Sequence, residues 1–116
     1  MQIRTEQLMA TPRDEEEDNL ALLCFEYADG EMFMLTRFPD EDELEITLDE
    51  EQYRLRDVKV TLAPQLLRIE VADAEVFGGD LVLDISHSTA DGDMPEVIET
   101  LRIVLDGVGT LVGGDG

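Results

Sequence analysis

The sequence predicts an α+β fold: an antiparallel β-sheet meander with one C-terminal helix packed on a face. Three observations predict it. Apolar residues alternate with period two from Leu44 to Val71, an Asp29-Gly30 pair separates two apolar runs, and a helical spacing of apolar residues is convincing only after Pro95. At 116 residues with 43% hydrophobic composition, the chain suits a single globular core. The expected organisation is one domain over residues 1–107 and a flexible tail over 108–116.

MQIRTEQLMA alternates weakly around Ile3 and reads as an edge strand. TPRDEEEDN follows, and its Pro12 and the acids from Asp14 to Asp18 predict a solvated loop, because like charges repel and bury nothing. NLALLCFEYA and EMFMLTRF flank Asp29-Gly30, a pair that tolerates the positive φ values of a tight hairpin turn. In the first of these strands Leu20, Leu22 and Cys24 share one side, while Ala21, Leu23, Phe25 and Tyr27 share the other. A strand apolar on both sides is expected to be central, with a helix or second layer over one face.

Pro39 ends the hairpin, and DEDE connects to LEITLDEEQYRLRDVKVTLAPQLLRIEV. There Leu44, Ile46 and Leu48, then Tyr53 and Leu55, then Val58, Val60 and Leu62, then Leu67, Ile69 and Val71 point inward, with Glu45, Thr47, Lys59, Thr61, Arg68 and Glu70 outward. Odd and even positions exchange roles between Leu55 and Val58, so a bulge or turn is expected at Arg56-Asp57. Phe77-Gly78-Gly79-Asp80 is turn chemistry, and LVLDIS after it sets Leu81, Leu83 and Ile85 on one side. His87 follows and reads as a surface or turn residue. Asp93 and Glu96 suit an Asp variant of the capping box, Val97, Ile98, Leu101, Val104 and Leu105 form the helix's apolar stripe, and Gly107 stops it.

The totals exclude several functions. With 29 acids against 8 bases the net charge is −21, which repels nucleic acid and anionic lipid and attracts basic partners. Seven of the eight bases are arginine, a bias that a GC-rich genome or a salt-adapted proteome also produces. One His and one Cys do not make a metal or haem site of the usual ligand types, and a lone cysteine in an apolar run is expected to be a small buried hydrophobe. Neither DEDE at 40–43 nor ADGD at 90–93 has the ligand spacing of a calcium loop. No nucleophile motif or phosphate-cradling glycine loop is present. The expectation is a non-enzymatic binding protein without cofactor. No apolar run exceeds six residues, and the start of the chain lacks a signal-peptide pattern, so a cytoplasmic location is expected.

The order of these elements resembles the bacterial immunity proteins of polymorphic toxin systems, in particular the immunity protein 10 family. MQIRT at the start, EEEDNLALLCFEYADGEMFMLTR through the hairpin and EITLDEEQYRLRDVKVTLAPQLLRIEV through the meander carry the resemblance. The chain departs from that family at QYRLRDVKV, where the family has a turn containing glycine and tyrosine. The resemblance implies an antitoxin that binds and neutralises a cognate toxin, and the acidity read from the composition implies that this toxin is basic. An acidic chaperone or adaptor for a secreted protein is the alternative, and its members usually begin with a helix.

For the inhibitor, RFPDEDELEITLDEE holds the candidate contacts, with eight carboxylates in fifteen positions. Asp40, Glu41, Asp42, Glu43 and Glu45 form the main electrostatic surface, with Asp49, Glu50 and Glu51 expected beside them and Arg37 and Tyr53 as anchors.

Overall fold

The structure is a computed structural model and describes residues 1–113 apart from Asp18, Asp29 and Asp49, with backbone alone at Asp14, Glu17 and Ala28. It is α+β, with ten strands in two five-stranded sheets and one C-terminal α-helix. One sheet runs β2 (Met9–Asp14), β3 (Leu20–Ala28), β4 (Glu31–Arg37), β5 (Leu44–Leu48) and β6 (Glu51–Leu55), all antiparallel and in chain order. The other is ordered β1 (Gln2–Arg4), β9 (Val82–Ser86), β8 (Leu66–Glu70), β7 (Val58–Ala63) and β10 (Gly109–Gly113), with parallel pairing at both edges. We call them the hairpin sheet and the mixed sheet.

Period-two alternation supplies one buried face to each sheet, and the two faces share a single core. From the hairpin sheet come Ala21, Leu23, Phe25, Phe33, Leu35 and Ile46, each with no exposed surface; from the mixed sheet come Val60, Leu67, Ile69, Leu83 and Ile85, equally buried. Phe25 and Phe33, cross-strand partners in the β3–β4 hairpin, stack with ring centroids 4.9 Å apart. The helix α1 (Met94–Leu105) buries Val97, Thr100, Leu101, Val104 and Leu105 and packs against β2, β3, β4 and β10.

The exchange of odd and even positions at Arg56-Asp57 is where the chain leaves one sheet for the other. Leu55 ends β6, Asp57 adopts φ 58°, and Val58 opens β7 in the mixed sheet, so inward residues change parity because the layer has changed.

Several expectations are corrected. TPRD is strand and not loop: β2 pairs with β3, and its register shifts between Thr11 and Asp14, the irregularity that holds Pro12 on an edge strand where no ladder donor is required. Glu15–Glu17 form a 3-10 turn, and Asp18 lies outside the described residues. The proposed flexible tail over 108–116 is ordered through Gly113, with Val108 buried and β10 lying parallel to β7. Gly109 permits that approach, since a Cβ there would collide with the Val58 carbonyl and the Leu105 side chain. Residues 114–116 lie outside the described residues.

Leu81 is half exposed, because β9 begins only at Val82. Asp93 makes no capping hydrogen bond: a 3-10 turn at Asp91–Asp93 leads into the helix, giving Asp93 a helical backbone, and its carboxylate instead accepts from Gln7 Nε2 at 3.4 Å.

His87 is buried, 3% exposed, in the seam where the chain passes from β1 to β2. The segment between these strands is fixed to residues 86–89. Thr5 N–H donates to the Ser86 carbonyl at 2.9 Å, Ser88 N–H to the Glu6 carbonyl at 2.9 Å, and Leu8 N–H to Thr89 Oγ1 at 2.9 Å. Thr89 N–H points at His87 Nδ1 from 3.3 Å, which makes Nδ1 the acceptor and leaves the proton on Nε2. The Thr89 hydroxyl, 2.9 Å away, is then oriented to donate to the same nitrogen.

Burial lowers the His87 pKa from its ordinary value of 6.5. The unfolded chain therefore takes up a proton that the folded chain refuses, and this residue's contribution to stability falls as the pH drops through about 6.5 toward the lower folded value. His87→Asn retains an acceptor without titrating. Urea unfolding between about pH 7.5 and 5 is expected to show a loss of stability in the native protein, relative to this variant, that grows as the pH falls.

Candidate functional site

β5 is the axis of the candidate site, and it separates the acids that the sequence suggested were neighbours. Asp40, Glu41, Asp42 and Glu43 are exposed in the connection that enters β5 at Leu44. Glu50 and Glu51 are exposed after it leaves at Leu48, and Asp49 lies outside the described residues. A strand rises about 3.3 Å per residue, so five residues hold the two groups roughly 13 Å apart. They are two acidic clusters at opposite ends of a rigid strand.

Arg37, at the end of β4, organises the first cluster from behind. Its Nη1 donates to the carbonyls of Val104 at 3.2 Å and Asp106 at 2.8 Å, and its Nε donates to the Glu41 carbonyl at 3.0 Å. The guanidinium thus covers the C-terminal end of α1, where the helix dipole is negative and carbonyls lack intrahelical partners. It also ties the 38–43 connection to the helix. The residue suggested as a partner anchor is placed as an internal brace.

The first cluster surrounds a pocket. Thr36 and Phe38 lie in it with Glu41, Glu43, Glu45 and Arg54, enclosing about 250 Å³. Glu45 and Arg54 face each other across β5 and β6, but their nearest charged atoms are 4.0 Å apart, a loose pair. An aromatic wall beside three carboxylates suits an ammonium or guanidinium group, which gains from ring and carboxylates together.

Tyr53 belongs to the other end. It pairs with Ile46 and rests half-buried against the core, and its hydroxyl donates to the Glu51 carboxylate. That hydrogen bond, then desolvation and the charges of Glu51, Glu75 and Asp73, raise the phenol's pKa. The second cluster therefore extends from Glu51 toward the loop after β8, which the sequence reading left out of the site.

Phe38 and Arg54 were missed as pocket residues, although the signal for Phe38 was present: Met32, Met34 and Thr36 precede it at the same parity along β4. Cys24 is half-buried on the outer face of the hairpin sheet, and desolvation raises its pKa, so it is a protonated thiol at neutral pH. Among the described residues no three His, Cys, Asp or Glu side chains converge to hold a metal ion, and no helix is long and apolar enough to cross a membrane.

Comparison with protein-family models, curated proteins and solved structures found no match. The site's own chemistry is what speaks to function.

Replacing Arg37 by Met is expected to cost about 1–2 kcal/mol of folding stability, through the loss of charged hydrogen bonds at the helix end. Thermal and urea unfolding would show it. A variant as stable as the native protein would mean that the brace is dispensable.

Proposed function

We propose that this protein is a non-catalytic immunity protein that binds a basic toxin in the cytoplasm and neutralises it, with the Phe38 pocket and its carboxylates as the electrostatic centre of the contact. The observation that carries the reading is this pocket of Glu41, Glu43 and Glu45 around Phe38, held on a braced strand connection and loosely neutralised by one arginine. A cationic side chain from a partner fits it. The net charge of −21 supplies the long-range attraction that steers a basic protein into contact.

A toxin that cleaves nucleic acid has cationic groups where phosphate binds, and a carboxylate surface occupying that ground excludes the substrate. The sequence segments that resemble the immunity protein 10 family motivate the same reading. So does the dominance of strands, which favours an inhibitor of this kind over a helix-led secretion chaperone. A catalytic role draws no support from the usual nucleophile and base. The single histidine is buried with Nδ1 engaged, and the single thiol is kept protonated.

The test is stopped-flow association with the product of the adjacent gene, and no binding at low salt to any neighbouring toxin would sink the reading. Reversing Asp40, Glu41 and Asp42 together to lysine is expected to slow association by about tenfold or more at low salt, with the native rate falling as salt is added. The melting temperature is expected to stay within about 2 °C, because exposed charges contribute little to stability. An association rate insensitive to both charge reversal and salt would remove this acidic connection from the interface.

A further inference from the structure

The outer faces of the two sheets are built on opposite principles. On the mixed sheet the outward residues form cross-strand ion pairs, Lys59 with Glu70 at 3.9 Å and Arg68 with Asp84 at 2.6 Å. This is the ordinary surface of a sheet in water. On the hairpin sheet the register aligns Met9, Cys24 and Met34 in one row across β2, β3 and β4, with Leu22 and Met32 in the rows on either side. Met9 is 46% exposed and Met32 41% exposed, while Leu22, Cys24 and Met34 are partly covered. Three of the chain's five methionines meet on this face.

The sequence predicts that β3 is apolar on both sides, and among the described residues the buried core takes in Ala21, Leu23 and Phe25 from one side but not Leu22 or Cys24 from the other. In a chain this rich in charge, an open apolar strip is a departure that solubility does not favour. Its surroundings indicate what covers it. Glu26 pairs with Met32 at one end, and at the other Thr36 and Glu45 lead directly into the Phe38 pocket with Glu41 and Glu43. An apolar centre with an acidic rim matches a protein surface whose apolar side chains are ringed by lysine or arginine. Methionine suits the centre because its unbranched thioether adapts to the shape laid against it. A second copy of this chain is a poor occupant, since stacking two such faces sets acidic rims against each other.

We propose that the outer face of the hairpin sheet is the docking surface for the basic toxin, with the Met9, Met32 and Met34 strip as the desolvated centre and the Phe38 pocket taking a cationic side chain at its margin. This rests on the immunity reading and adds a division of labour. The carboxylates govern how fast the partner arrives, and the methionines govern how long it stays.

The probes are two synthetic peptides of equal length and equal lysine content, one with leucine and the other with serine at the alternate positions. Titrated at one salt concentration, the leucine peptide is expected to bind the native protein with a Kd about tenfold or more below that of the serine peptide. Met9→Ser combined with Met32→Ser, both at exposed positions and checked by thermal unfolding, is expected to remove most of that difference. Equal binding of the two peptides, a preference that survives in the double variant, or self-association of the native protein through this face overturns the proposal.

The neighbouring gene's product separates this proposal from the reading beneath it. If the peptide preference holds and that protein does not bind, the immunity reading fails and the basic-partner surface stands. If that protein binds and the double variant leaves its dissociation rate unchanged, the immunity reading stands and the docking face fails. Dissociation about tenfold faster in the double variant, at an unchanged association rate, supports both.

Discussion

Everything else in this protein depends on one shared layer of side chains. Leu23, Phe25, Phe33, Leu35 and Ile46 from one sheet bury themselves together with Val60, Leu67, Ile69 and Leu83 from the other. Removing either sheet would expose the other's inner face to water, and hydrophobic burial is the largest favourable term available to a chain without a disulfide. α1 extends the same core with Val97, Leu101 and Val104. The acidic surface is tolerable because this burial offsets the self-repulsion of so many like charges.

The polar connections are where this arrangement gains its definition. The β1–β2 crossing is held by the exchange with Ser86, Ser88 and Thr89. The 38–43 connection is held to the end of α1 by Arg37. Both place a polar side chain against main-chain groups that would otherwise lack partners, and both fix a segment bearing on the candidate interface. β2 contributes Met9 to the open face, and the 38–43 connection contributes Phe38 and Glu41 to the pocket. Surface recognition here is prepared by contacts made underneath it.

How much was legible in the sequence follows from which signals are local. The β3–β4 hairpin, the inward residues from Leu44 to Val71 and the helix stripe were readable, because a period of two or of 3.6 is carried by consecutive residues. The parity change at Asp57 was visible too, but only the structure distinguishes a bulge from a passage between layers. β2 and β10 were missed for a different reason. Pro12 and its acidic neighbours read as loop, and Gly109 read as tail, because the pairing that makes each a strand comes from residues distant in the chain or from an edge position. For the site, Glu41, Glu43 and Glu45 were legible as a local run. The separation of Glu51 from them, the inward duty of Arg37 and the open methionine face depended on registers and contacts that a linear pattern does not carry.

The edges of the mixed sheet carry a kinetic consequence. Strands β2 to β6 pair with their immediate neighbours in the chain, so the hairpin sheet can zip through short loops. The mixed sheet is closed on one side by β1 beside β9 and on the other by β10 beside β7, pairings that join remote parts of the chain in parallel. Closing such long loops must precede any reward from the contacts they make, so these edges belong to the late part of folding. The face bearing the methionines is thereby built from local pairings alone, whereas the mixed sheet adds its β1 and β10 edges to a local β7–β8–β9 centre only once the remote loops close.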